Sequence, residues 1–233
     1  MAQNDAQDSP GGPPPGRLAS DRRRPERSAL PKPQARELPH LDPDLVLAGY
    51  RAGVFPMDGP DGLHWYRPEP RALIPLDERF HVPSSLARVV RQGRFMVRTD
   101  TAFEAVMRAC AARDETWISE TIIAAYTELH RRGAAHSVEC YDGAGVLVGG
   151  LYGVAIGGAF FGESMFSHAR DASKVALVHL VDRLRRGGFV LLDTQFLTAH
   201  LGTFGAYTVP RRTYEALLAV ALRVDARWDP DGA

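Results

Sequence analysis

The segment from Gly149 to Gln195 constrains the fold more than any other part of this sequence. It begins with two apolar, glycine-rich runs that meet at Gly157-Gly158, continues with an amphipathic stretch of helical period and ends with the apolar run FVLLDTQF. This order predicts a β-hairpin, a long helix over 171–186 and a strand over 190–196. Together with the strands and helices predicted upstream, it indicates an α+β fold with a mixed, mainly antiparallel sheet and flanking helices.

Two polar residues, Asp193 and Gln195, interrupt the last apolar strand. Side chains two positions apart on a strand share a face, so the carboxylate and the carboxamide are predicted to point the same way. A polar pair on an apolar strand face needs a polar partner, which makes these residues the first candidates for a site. The alternative is that the pair only satisfies a buried loop.

Composition shifts along the chain predict three segments. Residues 1–38 are rich in proline, glycine and arginine and are predicted to form a disordered tail. Residues 39–75 contain a helix that opens at Asp42-Pro43 and a turn-rich stretch, and are predicted to form a small N-terminal lobe. Residues 76–228 are predicted to form the main α+β domain.

Charge, hydropathy and motif content argue against several classes of protein. Lys+Arg and Asp+Glu both number 28, which argues against bulk attraction of nucleic acid by net charge. No apolar run approaches the roughly 20 residues that span a bilayer. No secretory signal is visible, and two cysteines fit a reducing compartment, so we expect a cytoplasmic protein. Zinc-binding and P-loop motifs are absent from the sequence, so we expect neither a metal ion nor a cofactor.

The order of elements in the second half is similar to that of GNAT acyltransferases. Those enzymes hold the pyrophosphate of coenzyme A on an Arg/Gln-x-x-Gly-x-Gly/Ala loop that enters the long helix. Here the corresponding segment, 167–172, reads SHARDA and does not match. The resemblance therefore implies a GNAT-like acyltransferase domain whose acyl donor is not coenzyme A.

A more specific resemblance rests on eight motifs in one order, which are RAGVFPM (51–57), HWYRPEPR (64–71), TWI (116–118), HSVE (136–139), GGLYGV (149–154), FFGESMFS (160–167), DASK (171–174) and LLDTQF (191–196). From about residue 41 to 222 the sequence resembles the leucyl/phenylalanyl-tRNA–protein transferases. The resemblance implies transfer of leucine or phenylalanine, with methionine a further candidate, from aminoacyl-tRNA to the N-terminal Arg or Lys α-amine of acceptor proteins. The product would be an N-degron that marks the acceptor for proteolysis.

The resemblance also implies roles for individual residues. Asp193 and Gln195 would meet the incoming α-amine, with Asp193 acting either as a base or as an electrostatic orienter. Glu163 would contact the amino group or terminal ribose of the donor. The residues implied to hold the aminoacyl side chain, for which ordinary core packing is the alternative, are Leu151, Met165, Leu180 and Leu184. The residues implied to stack on the terminal adenosine are Trp65 and Trp117, and those implied to contact tRNA phosphates are Arg88 and Arg91.

Two other functions stay open from the sequence alone. One is a coenzyme A-dependent N-acetyltransferase, and the other is a non-catalytic module that binds tRNA or N-degrons. Met57 stands where the family commonly carries tryptophan, which leaves the choice among leucine, phenylalanine and methionine open. We expect the protein to act as a monomer without a membrane partner.

Overall fold

A seven-stranded sheet organises the residues that this computed structural model describes, which are 40–230. The predicted tail, 1–38, lies outside the described residues. The strands are β1 (Phe55–Gly59), β2 (Gly62–Tyr66), β3 (Arg71–Ile74), β4 (Met96–Thr99), β5 (Ala135–Tyr141), β6 (Leu147–Ile156), β7 (Ala159–Ser167), β8 (Leu191–Gln195) and β9 (Tyr207–Val209). The helices are α1 (Pro43–Arg51), α2 (Ser84–Arg91), α3 (Phe103–Ala111), α4 (Glu120–Arg131), α5 (Ala172–Arg186), α6 (Ala199–Gly202) and α7 (Arg211–Ala221).

The large sheet has the strand order β4-β5-β6-β7-β8-β3-β9. All neighbouring strands in it are antiparallel except β7 and β8, which run parallel. The predicted α+β class with a mixed, mainly antiparallel sheet is therefore confirmed. The predicted hairpin, long helix and following strand correspond to β6–β7, α5 and β8.

Side chains of the sheet alternate between two apolar layers. Consecutive residues such as Leu151 and Tyr152, or Phe160 and Phe161, belong to different hydrophobic clusters because strand side chains point to opposite faces. One cluster includes buried residues of α1, α3, α4 and α7, and the other includes those of α2 and α5. The sheet is thus covered by helices on both faces.

Local signals account for several helix ends. Asp42 caps α1 by accepting a hydrogen bond from the backbone N–H of Asp44, and Gly53 follows the helix with a positive φ of 76°. Ser119 caps α4 through the backbone N–H of Ile122. Helix α2 has no side-chain cap, because it begins at Ser84 and Pro83 holds the capping position.

The chain segment predicted as an N-terminal lobe is built from α1, β1, β2 and β3. Strands β1 and β2 pair only with each other in the described part of the chain, whereas β3 inserts between β8 and β9 of the large sheet. This segment therefore supplies an interior strand, next to the edge strand β9, to the sheet formed by later residues. The boundary at residue 75 stays a prediction.

Two further sequence expectations concern cysteines and membrane spans. Cys110 and Cys140 are free and buried, and burial raises the pKa of each thiol to about 12. Both thiols are therefore protonated and poorly nucleophilic near neutral pH. Among the described residues, no helix is long and apolar enough to cross a membrane.

Replacing Gly153 by alanine should destabilise the sheet. A Cβ atom at this position would overlap the carbonyl oxygen of Phe161 and the ring of Phe160. We expect Gly153→Ala to lower the free energy of unfolding by about 1–3 kcal/mol or more, measured by urea denaturation. Gly143→Ala is the matched control, because a Cβ there meets no atom within 4 Å. Equal stability of the two variants would contradict the packing described for β6 and β7.

Candidate active site

A cavity of about 270 Å³ lies where the parallel strands β7 and β8 separate. Their pairing ends at Phe161 and Asp193, so the residues beyond it no longer pair with each other. Parallel strands that part in this way leave a crevice at their carboxyl ends. Its apolar lining is supplied by Ile74, Leu151, Met165, Leu177, Leu180, Leu192, Phe196 and Leu201, and its main polar groups by Arg113, Tyr152, Glu163 and Gln195.

Two β-bulges bring polar side chains to this crevice. On β7, Glu163 is the extra residue, because Gly162 pairs with Gly153 and Ser164 pairs with Tyr152. On β8, an irregularity leaves Thr194 unpaired and is followed by Gln195, whose φ is +59°. Bulges bend a strand and re-aim its side chains. As a result, the Nε2 atom of Gln195 donates a hydrogen bond to Oε1 of Glu163 at 3.1 Å.

Asp193 lies behind the cavity and does not line it. It is 0% exposed, and its carboxylate accepts three hydrogen bonds from Arg71 at 2.7–3.0 Å and one from the Tyr214 hydroxyl at 2.7 Å. Its Oδ1 atom also accepts the backbone N–H of Gln195 at 2.9 Å. Arg71, Tyr214 and the Gln195 backbone thus donate to both oxygens of this carboxylate, and the last of these bonds fixes the backbone of Gln195.

Arg71 is the partner that this buried carboxylate requires. Its guanidinium lies 5.0 Å from the ring centre of Phe55 and 4.5 Å from that of Tyr214, and its Nη1 donates to the carbonyl of Gly53 at 3.2 Å. A buried ion pair is tolerated when further hydrogen bonds satisfy its polar atoms, and here each side-chain nitrogen of Arg71 and each carboxylate oxygen of Asp193 has a partner. The pair joins the α1–β1 turn, β3, β8 and α7 at one point.

Glu163 is the polar group best placed to respond to a ligand. Burial is the main cause that raises the pKa of Glu163 to about 8, with the charge of Asp193 adding to the effect and the Tyr50 hydrogen bond and Arg71 opposing it. The carboxyl group is therefore mostly protonated at neutral pH. A cationic ligand beside it would favour the carboxylate form.

The structure brings some of the predicted site residues together and leaves others apart. The predicted residues that line the cavity are Leu151, Glu163, Met165, Leu180 and Gln195. Asp193 and Gln195, predicted to share a strand face, contact different groups because the Thr194 irregularity and the left-handed backbone of Gln195 break the alternation.

The remaining predicted residues lie elsewhere. Leu184 is buried on α5 in the hydrophobic core and does not line the cavity. Trp65, on β2, is 37% exposed and lies against Gly49, and Trp117 lies in the α3–α4 loop, where its carbonyl accepts the N–H of Asp58. Arg88 and Arg91 are exposed on α2. The roles proposed for these residues stay predictions.

Three residues of the site were not singled out from the sequence: Arg71, Arg113 and Tyr152. Arg71 stands next to the apolar run Ala-Leu-Ile, and a strand arginine of this kind is a signal for a buried partner. Arg113 and Tyr152 carry no comparable local signal. Their positions depend on the packing of α3 and its loop against the β6–β7 hairpin.

A cluster of Asp100, His130 and His136 could hold a metal ion by spacing, since its ligand atoms lie within 4.8 Å of one another. It does not line the cavity. Asp100 accepts hydrogen bonds from the backbone N–H of Ser137 and from Trp228, and also bonds His136. The histidine rings contact the carbonyls of Ala135 and Gly133. These bonds favour a structural role that ties the C-terminal segment to the sheet.

Comparisons with known proteins match most of the described region. A family model described as leucyl/phenylalanyl-tRNA protein transferase matches residues 73–219, and one described as the N-terminal domain of that family matches residues 40–69. The leucyl/phenylalanyl-tRNA–protein transferase of Herpetosiphon aurantiacus is 60% identical over 188 residues, 81% of this chain and 98% of that protein. That of Rubrobacter xylanophilus is 59% identical over 186 residues, 79% of this chain and 97% of that protein.

Solved structures give a weaker match. L-PGS from Bacillus licheniformis aligns with a TM-score of 0.42 at 10% identity, over 68% of this chain and 65% of that one. At this level of similarity the GNAT-like class stays a prediction.

The pKa of Glu163 predicts a pH-dependent stability. Unfolded glutamate has a pKa of about 4.3, so the folded protein holds a proton that the unfolded chain releases between roughly pH 4.5 and 8. The wild type should therefore lose stability as pH rises through this window, by up to about 1.4 kcal/mol per pH unit. Glu163→Gln removes this titration, so its stability relative to wild type should rise from pH 4.5 to 8 and then level off.

Urea denaturation at several pH values measures this difference. Glu78→Gln, which alters an exposed glutamate outside the cavity, is the control and should track the wild type at every pH. A stability difference between Glu163→Gln and wild type that does not change with pH would contradict the raised pKa.

Proposed function

The chain belongs to the leucyl/phenylalanyl-tRNA protein transferase family, and we propose that the cavity between β7 and β8 holds the aminoacyl group that is transferred. The protein is an enzyme that uses aminoacyl-tRNA and acts on proteins. We further propose that leucine and phenylalanine are its donors, with methionine a further candidate, and that the acceptor is an N-terminal Arg or Lys α-amine. A cytoplasmic monomer that generates N-degrons fits this activity.

The observation that carries the proposal is a single cavity with an apolar part and a polar part. Leu151, Leu177 and Leu180 line it together with Met165, whose flexible thioether adapts to both branched and aromatic side chains. Glu163 and Gln195 provide a carboxyl and a carboxamide within hydrogen-bond distance of each other. An aminoacyl ester has the same division, with an apolar side chain next to an α-amino group and a carbonyl.

The reaction needs alignment more than activation. The acceptor nitrogen attacks the ester carbonyl, an amide bond forms and the ester C–O bond breaks. The ribose oxygen leaves and takes up the proton that the nitrogen loses, so that a ribose hydroxyl results. Because α-amines have a pKa near 8, a useful fraction of the acceptor is neutral at cytoplasmic pH. Positioning two bound substrates can lower the barrier by roughly 7–11 kcal/mol. Neither a covalent enzyme intermediate nor a metal ion is required by this chemistry.

The residues divide this work between them. Glu163 binds the α-amino group or the ribose hydroxyl of the donor, and Gln195 holds the ester or the incoming amine. Asp193 is a positioning residue, because its carboxylate is enclosed by Arg71 and Tyr214 and holds the backbone N–H of Gln195. Of the two roles left open for Asp193 by the sequence, base and orienter, we therefore propose the orienter.

The tRNA body is proposed to contact α2. Arg88 and Arg91 are exposed, and within the described part of the chain neither pairs with a carboxylate. Unpaired arginines on one helix suit contact with RNA phosphates. Trp65 and Trp117 remain the candidates for stacking on the terminal adenosine, which would contribute about 1–3 kcal/mol.

One assay distinguishes the proposed activity from its alternatives. The protein is incubated with charged leucyl- or phenylalanyl-tRNA and a peptide that begins with Arg or Lys, and in parallel with acetyl-coenzyme A and the same peptide. We expect an aminoacylated peptide in the first reaction only. Acetylation without aminoacyl transfer would indicate an N-acetyltransferase, and binding without any product would indicate a non-catalytic module.

Asp193→Asn should reduce transfer through lost positioning. Removing one charge of the buried pair leaves Arg71 unpaired, and we expect about 3–5 kcal/mol less stability and at least about tenfold slower single-turnover transfer. A positioning role predicts the same loss at pH 6.5 and at pH 8.5. If Asp193 were a general base, the loss would shrink at pH 8.5, where most of the acceptor amine is already unprotonated.

Replacing both α2 arginines should weaken binding of tRNA but not of a minimal donor. We expect Arg88→Ala/Arg91→Ala to raise KM for charged tRNA and to reduce the slope of log KM against log salt by about 1–2. KM for a phenylalanyl-adenosine donor should stay unchanged. Arg131→Ala, which removes an exposed arginine of α4, is the control. An equal rise in KM for both donors would contradict a role in binding the tRNA body.

A further inference from the structure

Arg113, in the loop between α3 and α4, lies at the exposed edge of the cavity. We propose that this guanidinium binds the phosphate on the 5′ side of the terminal nucleotide of the aminoacyl-tRNA. The inference rests on the proposed function and assigns a phosphate subsite to the same cavity. The phosphate concerned is separated from the aminoacyl group by one ribose. It is distinct from the phosphates of the tRNA body, which are proposed to contact α2.

The hydrogen bonds of Arg113 fix its position and leave part of it free. Its Nε donates to the carbonyl of Cys110 at 2.7 Å, and its Nη2 donates to the Ser164 hydroxyl at 3.0 Å and to the Met165 carbonyl at 3.5 Å. Within residues 40–230, Nη1 has no acceptor and no carboxylate lies within ion-pair distance of the guanidinium. Arg113 is thus a cation that is held against β7 and has two unused N–H donors, which makes it suited to bind an oxyanion.

Tyr152 supplies an independent sign that a polar ligand enters at this place. It is 0% exposed and lines the cavity, and its hydroxyl has no hydrogen-bond partner among the described residues. It pairs across the sheet with Ser164, the residue that Arg113 contacts. A buried hydroxyl without a partner is destabilising, so a bound ligand that forms a hydrogen bond with it is favoured. The ribose hydroxyl next to the acyl ester is the ligand group of the right chemistry.

Two groups that line the cavity match the two charges of the donor terminus: Arg113, and Glu163, whose carboxylate form a cationic ligand favours. Besides His200, the titratable and cationic side chains in the lining are Glu163, Tyr152 and Arg113. An aminoacyl nucleotide carries one cation, its α-ammonium group, and one anion, its phosphate, with the ester and ribose between them. With Glu163 at the amino group, Arg113 is the lining cation left for the phosphate. The complementarity therefore orients the donor along the cavity.

Two stable analogues test the subsite directly. One is 3′-phenylalanylamino-3′-deoxyadenosine, in which an amide replaces the reactive ester, and the other is its 5′-(methyl phosphate), which carries the single charge of a phosphodiester. Each is used as a competitive inhibitor of transfer from charged phenylalanyl-tRNA. For the wild type we expect the phosphorylated analogue to inhibit about tenfold more strongly, as a charge-assisted hydrogen bond would give.

Arg113→Gln should abolish this preference. Glutamine keeps a donor for Ser164 but removes the charge, so the inhibition constants of the two analogues should become equal while that of the unphosphorylated analogue stays near its wild-type value. Arg113→Lys should restore part of the preference. Arg131→Gln, the same change at an exposed arginine of α4 that does not line the cavity, should leave it intact.

Several results would overturn the inference. The first is that the two analogues inhibit the wild type equally or not at all. The second is that the preference for the phosphorylated analogue survives in Arg113→Gln. The third is that both analogues inhibit Arg113→Gln more weakly to the same extent, which would indicate a structural role. Failure of the proposed function is a separate outcome, since the wild type would then transfer nothing from charged tRNA to the peptide.

Discussion

The buried ion pair between Arg71 and Asp193 is the interaction on which the rest of this structure depends. Both side chains are almost fully excluded from water, at 1% and 0% exposure, and residues 122 positions apart supply the two charges. Desolvating them is favourable only with complete hydrogen bonding, which Tyr214 and the Gly53 carbonyl help to provide. The pair thereby requires the α1–β1 turn, the inserted strand β3 and helix α7 to meet at β8.

This constraint reaches the cavity through the backbone of β8. Asp193 holds the N–H of Gln195, a non-glycine residue in the left-handed region, and so stabilises a conformation that would otherwise be unfavourable. Gln195 then bonds Glu163, the bulged residue of β7. The polar end of the cavity is assembled from two distortions of neighbouring strands. Its geometry suits an enzyme that aligns an activated ester with an amine.

The sequence predicted what local patterns determine. Glycine turns predicted the β6–β7 hairpin, the helical period over 171–186 predicted α5, and Asp42-Pro43 predicted the start of α1. Five of the predicted site residues line the cavity. Long-range pairing was not predictable in this way. Strict alternation predicted that Asp193 and Gln195 share a face. The irregularity at Thr194 could not be predicted from the sequence, because that irregularity depends on how β3 pairs with β8. Arg71 likewise acquires its carboxylate partner, and Tyr152 and Arg113 their places at the cavity, through contacts between distant segments.

The most direct test of this account is a crystal structure of the protein with 3′-phenylalanylamino-3′-deoxyadenosine. The account predicts that the phenylalanyl side chain lies between Met165 and Leu180 and that its amino group is within hydrogen-bond distance of Glu163. It also predicts that Asp193 remains bound to Arg71 and Tyr214. A phenylalanyl group bound outside the cavity, or an Asp193 that leaves Arg71 to contact the analogue, would contradict it.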